Sequence, residues 1–296
     1  MIPYTETPIQ EILDPLLERA GIRLLVKRED LNHAQVSGNK WWKLKYNLAQ
    51  AREEGADTLL SFGGAYSNHL YALAGASSIL GLKSIGIIRG EETHPLNATL
   101  TYASSKGMHL HFISREVYRT KSEDYFVKEL KERFGKFYLI PEGGTNSLAV
   151  KGCVEFGEKL LREIDFDYIC LPVGTGGTLA GIVNSLRPEQ TAIGFSALKN
   201  GKFLEEEVRK WIEIRNSASA SWRIETKYDF GGYARTTPAL GRFIENQKER
   251  HALPLDHVYT SKVLFGIYEL IKRNEIGKGV VLMVHTGGLQ GASSSK

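Results

Sequence analysis

The sequence predicts an α/β fold of open, mostly parallel twisted sheets with helices on both faces, divided between two domains. Short apolar runs rich in Val, Ile, Leu and Phe alternate with longer stretches of helical periodicity along the whole chain, the pattern of successive βαβ units. Most of these runs are continuously apolar, as strands covered on both faces must be. The length of 296 residues, 42% hydrophobic and 24% charged, allows one large domain or two ordinary ones, with a core that needs no disulfide or metal staple.

Strands are expected at Ile22–Val26, Thr58–Phe62, Ser84–Ile88, Met108–Phe112 and Phe137–Ile140 in the first half. Between them Trp41, Leu44, Leu48 and Ala51 recur at helical spacing, Asn68–Leu80 is rich in Ala and Leu, and Pro95–Lys106 opens on a proline suited to a first helical turn. The second half repeats the alternation, with strands at Tyr168–Val173, Ala192–Ser196, Trp222–Glu225 and Val280–Val284, and helices at Ala149–Glu163, Thr178–Leu186, Pro238–Gln247 and Lys262–Arg273. Parallel sheets of this kind bind ligands at the carboxyl ends of their strands, so chemistry is expected in the loops that follow them.

Lys plus Arg (38) against Asp plus Glu (34) gives +4, with no block of like charges, which gives no reason to expect a nucleic-acid partner. Such a sum suits a pocket for an anionic small molecule and equally a solvated surface. No run approaches the 18 or so apolar residues of a membrane span, and the amino terminus lacks a basic stretch followed by an apolar one. The expectation is an unprocessed cytoplasmic protein without a membrane partner. Cys153 and Cys170 have no C-x-x-C spacing and are expected as reduced core thiols, one on a helix and one on a strand. His109 and His111 alternate on a strand, but two ligands without a suitably spaced carboxylate or cysteine make surface histidines, so no metal is predicted.

Gly174-Thr175-Gly176-Gly177-Thr178 follows a strand and opens an apolar helix. Glycines there let backbone N–H groups converge, and the helix terminus adds positive potential, so the loop can hold a phosphate. Taken alone, the same five residues would serve equally as a tight turn. The spacing matches neither a P-loop nor a dinucleotide fingerprint, which favours a compact monophosphate. Ser37-Gly38-Asn39-Lys40 precedes a helix, with Lys43 one turn along the same face. A free lysine is neutral less than about one time in a thousand at pH 7, so a nucleophilic Lys40 needs burial or a neighbouring cation. A phosphate loop together with such a lysine suggests pyridoxal phosphate as cofactor.

Glu29-Asp30-Leu31, Ser37-Gly38-Asn39-Lys40, Gly63-Gly64-Ala65-Tyr66-Ser67-Asn68-His69, Gly174–Thr178 and His285-Thr286-Gly287-Gly288 follow one another along the chain. In that order they resemble the fold-type II pyridoxal-phosphate enzymes related to tryptophan synthase β, in the group of D-cysteine desulfhydrase and 1-aminocyclopropane-1-carboxylate deaminase. The resemblance implies that Lys40 holds the cofactor aldehyde and shuttles protons at the substrate α-carbon, with Lys43 near the phosphate and Asn68 on the ring hydroxyl. Ser67 would take the substrate carboxylate or act as a base opposite Lys40; both Ser67 and Asn68 also suit a helix N-cap. Tyr259 would stack on the pyridine ring, Tyr233 would face the substrate as acid or relay, and Thr286 would bond the pyridine nitrogen.

It further implies a large cofactor domain of residues 1–45 and 153–296, a small domain of residues 46–152, a small amino-acid substrate and a homodimer. In the deaminases a glutamate follows the stacking tyrosine and a leucine stands at the position of Thr286; here the former is Thr260. His69, where deaminases tend to have glutamine, points the same way. The expected reaction is therefore β-elimination from D-cysteine to pyruvate, sulfide and ammonia, with ring-opening deamination of the cyclopropane acid as the alternative. Trp41-Trp42 after the lysine and Leu70-Tyr71 in the following helix depart from the group's pattern. A nucleotide-binding reductase and a phosphate-ligand binding protein without turnover are the competing readings.

Overall fold

Two parallel sheets account for the strand pattern, and they divide the chain unevenly. The computed structural model describes residues 1–212 and 220–290. Strands β1 (Ile9–Ile12), β2 (Ile22–Lys27), β7 (Tyr168–Val173), β8 (Thr191–Ser196), β9 (Ser221–Glu225) and β10 (Gly279–Val284) form a six-stranded sheet in the order β1-β2-β10-β7-β8-β9. Only β1 runs antiparallel, along β2. Strands β3 (Thr58–Gly64), β4 (Lys83–Arg89), β5 (Met108–Ile113) and β6 (Tyr138–Ile140) form a four-stranded parallel sheet in the order β5-β4-β3-β6.

Helices cover the faces: α1 (Pro15–Ala20), α2 (Asn39–Glu53), α3 (Asn68–Leu80), α4 (Ala98–Ser105), α5 (Arg115–Tyr118), α6 (Asp124–Phe134), α7 (Ser147–Glu163), α8 (Gly177–Ser185), α9 (Leu204–Arg209), α10 (Pro238–His251) and α11 (Thr260–Lys272). Burial on both sheet faces is visible residue by residue. In β10, Leu282 and Val284 enter one core cluster while Val281 and Met283 enter another, as the two-residue period of a strand requires. The first cluster is shared by both sheets, running from Leu25 and Val284 to Leu59 and Leu73. The far face of the small sheet is closed by α5 and α6 through Tyr118, Phe126 and Leu130.

Several elements lie outside the expected pattern. The edge strand β1 and the short helices α1, α5 and α9 are too brief for periodicity to show. Helix α6 buries Phe126 and Leu130 among charged neighbours that blunt its apolar signal. Pro95 is not in a first helical turn: Asn97 is the N-cap of α4, its side chain accepting from Leu100 N–H. A cap that accepts from the third residue along is a stronger start signal than the proline's fixed φ. Both cysteines are buried and unpaired, on α7 and β7. His109 and His111 set their rings edge-on to Phe134, and among the described residues no group of three potential metal ligands occurs. Among them, too, no helix is long and apolar enough to cross a membrane. We propose the same division into two domains; residues 45/46 and 152/153 fall inside α2 and α7, which pack together and so tie the two sheets.

Candidate active site

The carboxyl ends of β3, β4, β6, β7 and β10 converge on one cavity of about 450 Å3 between the two sheets. Lys40, Lys43, Ser67, Asn68, Gly174–Thr178, Tyr233, Tyr259 and Thr286 all line it. Residues from positions 40 to 286 thus meet in one volume, of a size that holds a small cofactor with its substrate.

Lys40 sits in the first turn of α2, and the approach to that turn is rigidly built. Gly38 has φ +67°, and a Cβ on it would stand 1.9 Å from Thr286 O, so only glycine lets the Lys40 loop pass against the end of β10. Asn32 clamps the same glycine, accepting from Gly38 N–H at 2.9 Å and donating to Gly38 O at 3.0 Å. The carboxylate of Glu29 lies beneath, fully buried, and accepts from Tyr4, Thr7, Asn32 and the Trp42 indole. Four donors offset the cost of burying that charge. The Glu-Asp-Leu and Ser-Gly-Asn-Lys motifs are therefore one structural unit. The tryptophans belong to it too, since Trp41 donates to Pro3 O at 3.0 Å. Leu70 is core and Tyr71 stacks on Tyr102 at 3.7 Å, so the four departures from the group's pattern serve packing.

Burial pushes the Lys40 amine down to about 8, because low polarity disfavours the charged form. Lys43 is held well below the ordinary lysine range by burial and then by Lys40. Its Nζ reaches Gly143 O at 2.5 Å, Thr145 Oγ1 at 2.7 Å and Thr175 Oγ1 at 3.4 Å. It thus ties the loop after β6 to the glycine loop after β7.

That glycine loop turns into α8 through Gly176 in the left-handed region, φ +80°. Its glycines answer to packing as well as to a ligand. A Cβ at Gly176 would lie 2.9 Å from Val208, and one at Gly177 would lie 2.8 Å from Thr145. Thr178 accepts from Asn39 Nδ2 at 2.9 Å, joining the loop to the residue before Lys40. Ser67 is the N-cap of α3, its hydroxyl accepting from Leu70 N–H. Asn68 follows and accepts from Gln290 Nε2 at 2.7 Å.

Tyr259 and Tyr233 form a T-shaped pair with centroids 6.0 Å apart, and the Tyr233 hydroxyl donates to Tyr66 O at 3.1 Å. Burial raises both phenols above their ordinary value, Tyr259 far above it. At neutral pH each holds its proton. The position of Tyr259 is fixed by Asp256, which accepts from the N–H groups of Val258, Tyr259 and Thr260 and from the Thr260 hydroxyl at 2.6 Å. Thr260 is fully buried and does not line the cavity. Lys262, one turn on, donates to Asp229 O and Gly232 O, both at 2.7 Å, and so holds the loop that presents Tyr233.

Sequence reasoning passed over Thr145, Asp256 and Lys262 as site-supporting residues, because nothing in local spacing marks them. His69 offers no signal in the sequence beyond its residue type. It is buried, with Nε2 2.8 Å from Ser61 Oγ. Ser61 donates its own hydrogen to Ile140 O at 2.7 Å, so it accepts from Nε2–H and leaves Nδ1 as a bare acceptor with no protein partner. Burial and the two lysines keep this imidazole neutral.

These residues fit pyridoxal phosphate: a depressed amine facing the cavity, backbone amides at a helix start, a second lysine and an orphaned ring nitrogen beside them. Comparison with known proteins agrees. Residues 2–287 match the family model for the pyridoxal-phosphate dependent enzymes. A Pyrococcus horikoshii protein provisionally named as 1-aminocyclopropane-1-carboxylate deaminase is 31% identical over 300 residues, covering 98% of this chain and 91% of that protein. The bifunctional D-cysteine desulfhydrase/1-aminocyclopropane-1-carboxylate deaminase of Arabidopsis thaliana is 31% identical over 315 residues, covering 98% and 78%. The crystal structure of an ACC deaminase homologue superposes with a TM-score of 0.82 at 28% identity, covering 97% of this chain and 91% of that one. The chain belongs to the pyridoxal-phosphate-dependent enzymes and, within them, to the 1-aminocyclopropane-1-carboxylate deaminase/D-cysteine desulfhydrase family.

Proposed function

We propose that the protein catalyses β-elimination from D-cysteine: D-cysteine and water give pyruvate, hydrogen sulfide and ammonia. The observation that supports this over ring opening is the state of the carboxylates. Where the deaminases carry a glutamate after the stacking tyrosine, this chain has Thr260, buried and bonded to Asp256. The two glutamates lining the cavity are both neutralised, Glu142 by Lys121 at 3.2 Å and Glu207 by Lys210 at 2.6 Å. No unpaired carboxylate lines the cavity among the described residues to attack or protonate a cyclopropane ring.

The chain's own residues then have these tasks. Ser67 and the amides at the start of α3 bind the substrate carboxylate. Lys40, with its depressed amine, takes the proton from the α-carbon. When bound, pyridoxal phosphate supplies the electron sink for the pair left behind. Tyr233, which holds its proton at neutral pH, donates toward the departing sulfur, and Tyr259 and Thr286, which line the cavity, would hold the cofactor ring. Thr286 offers a hydroxyl rather than a carboxylate, and the resulting moderate sink suffices for a good β-leaving group.

The provisional name of the Pyrococcus relative favours the second reading, deamination of the cyclopropane acid to 2-oxobutyrate and ammonia. The experiment is a visible spectrum of the purified protein and its Lys40→Ala variant with pyridoxal phosphate, followed by keto-acid release from D-cysteine, L-cysteine, D-serine and the cyclopropane acid. D-cysteine is expected to be the fastest. Faster turnover of the cyclopropane acid reverses the assignment.

A further inference from the structure

At the mouth of the cavity the small sheet presents a cation that no carboxylate neutralises. Arg89 ends β4 and pairs in parallel register with Gly64 at the end of β3. A Cβ on Gly64 would lie 3.5 Å from Arg89 Nη2, so the guanidinium lies over a residue without a side chain, on the strand that leads to Ser67. Its other support is the Tyr118 ring, with Cζ 5.6 Å from the centroid. The same ring carries Lys121 at 5.0 Å, and the Tyr118 hydroxyl donates to Glu142 at 2.8 Å. The carboxylate bonded to this ring, Glu142, pairs with Lys121 at 3.2 Å. Among the described residues Arg89 has no ion pair, yet it lines the cavity and its charge is felt at the Tyr233 phenol.

The anions already assigned have their own partners: the cofactor phosphate at the glycine loop and the α-carboxylate at Ser67. We propose that Arg89 is a subsite for a second anionic group carried on the substrate's β-substituent, so that the preferred substrates are β-substituted amino acids whose leaving group bears a carboxylate or similar oxyanion. A planar guanidinium recognises such groups through paired N–H donors. This rests on the β-elimination reading above. With S-carboxymethyl-cysteine the α-hydrogen leaves as a proton, the Cβ–S bond breaks with its electron pair to give the thiolate of mercaptoacetate, and water releases pyruvate and ammonia.

The test compares the D-isomers of S-carboxymethyl-cysteine and its neutral isostere S-carbamoylmethyl-cysteine, with D-cysteine as reference, by pyruvate release from the holoenzyme. The wild-type kcat/KM is expected to favour the carboxylate by at least about ten-fold, as one charge-assisted contact allows. That preference should collapse in Arg89→Gln and return only in part in Arg89→Lys, which keeps the charge but not the paired donors. If Arg89→Gln does not fold, raising the salt concentration on the wild-type enzyme should erode the preference instead. Equal turnover of the two isosteres, no turnover of either while D-cysteine reacts, or a preference that survives both Arg89→Gln and salt, overturns the subsite alone. No pyruvate from any of the three overturns the β-elimination reading and the subsite with it.

Discussion

Cofactor-free protein should react with pyridoxal phosphate through an amine that titrates near pH 8, not through an ordinary lysine. The Lys40 amine is shifted from 10.5 to about 8, chiefly by burial. At pH 7 an amine of pKa about 8 is neutral about 9% of the time, against about 0.03% for one of pKa about 10.5, so the site supplies about 300-fold more reactive amine. The cofactor can be stripped from the protein and added back at a series of pH values, with the growth of the visible band followed in time. The rate should rise steeply between about pH 6 and 8 and level off above, because only the neutral amine attacks the aldehyde. Lys40→Ala should show no such phase. A rate still climbing about ten-fold between pH 9 and 10 would refute the argument, since it would mean that the amine is as solvated as in a free lysine.

Two further outcomes follow from the supports of the site. Gly38→Ala would place its Cβ 1.9 Å from Thr286 O at φ +67° and should cost about 3 kcal/mol or more; thermal unfolding and cofactor retention both report on it, and a variant matching the wild type in both would contradict the packing described. Lys262 is pushed down to about 8 by burial, so between about pH 8 and 10.5 the unfolded chain keeps a proton that the folded one has released, and stability rises with pH by at most about 1.4 kcal/mol per unit. Urea midpoints at pH 8 and 10 should show that gain reduced in Lys262→Met, and an undiminished gain would remove Lys262 from the account.

The strands of β7 and β10 were legible in the chain because both their faces are buried, which leaves an unbroken apolar run that polarity alone reveals. The edge strand β1 was not, because it has four residues and one unpaired edge, and Gln10 and Glu11 stand between its isoleucines. The site residues were legible as far as they come in compact motifs. Lys40, the glycine loop and Ser67-Asn68 each announce themselves within a few positions. Arg89 and Lys262 do not, since a lone basic residue in sequence has no neighbour to define its task.

Local pattern alone determined the alternation of strands and helices and pointed to the cofactor class and to the lysine proposed to bear it, because these depend on residue order along one segment. Which carboxylates are neutralised, which arginine stays unpaired, and why Gly38 tolerates no side chain depend on distances between segments far apart in the chain. Burial and Coulomb energies are set by those distances, so only the packed tertiary structure decided them.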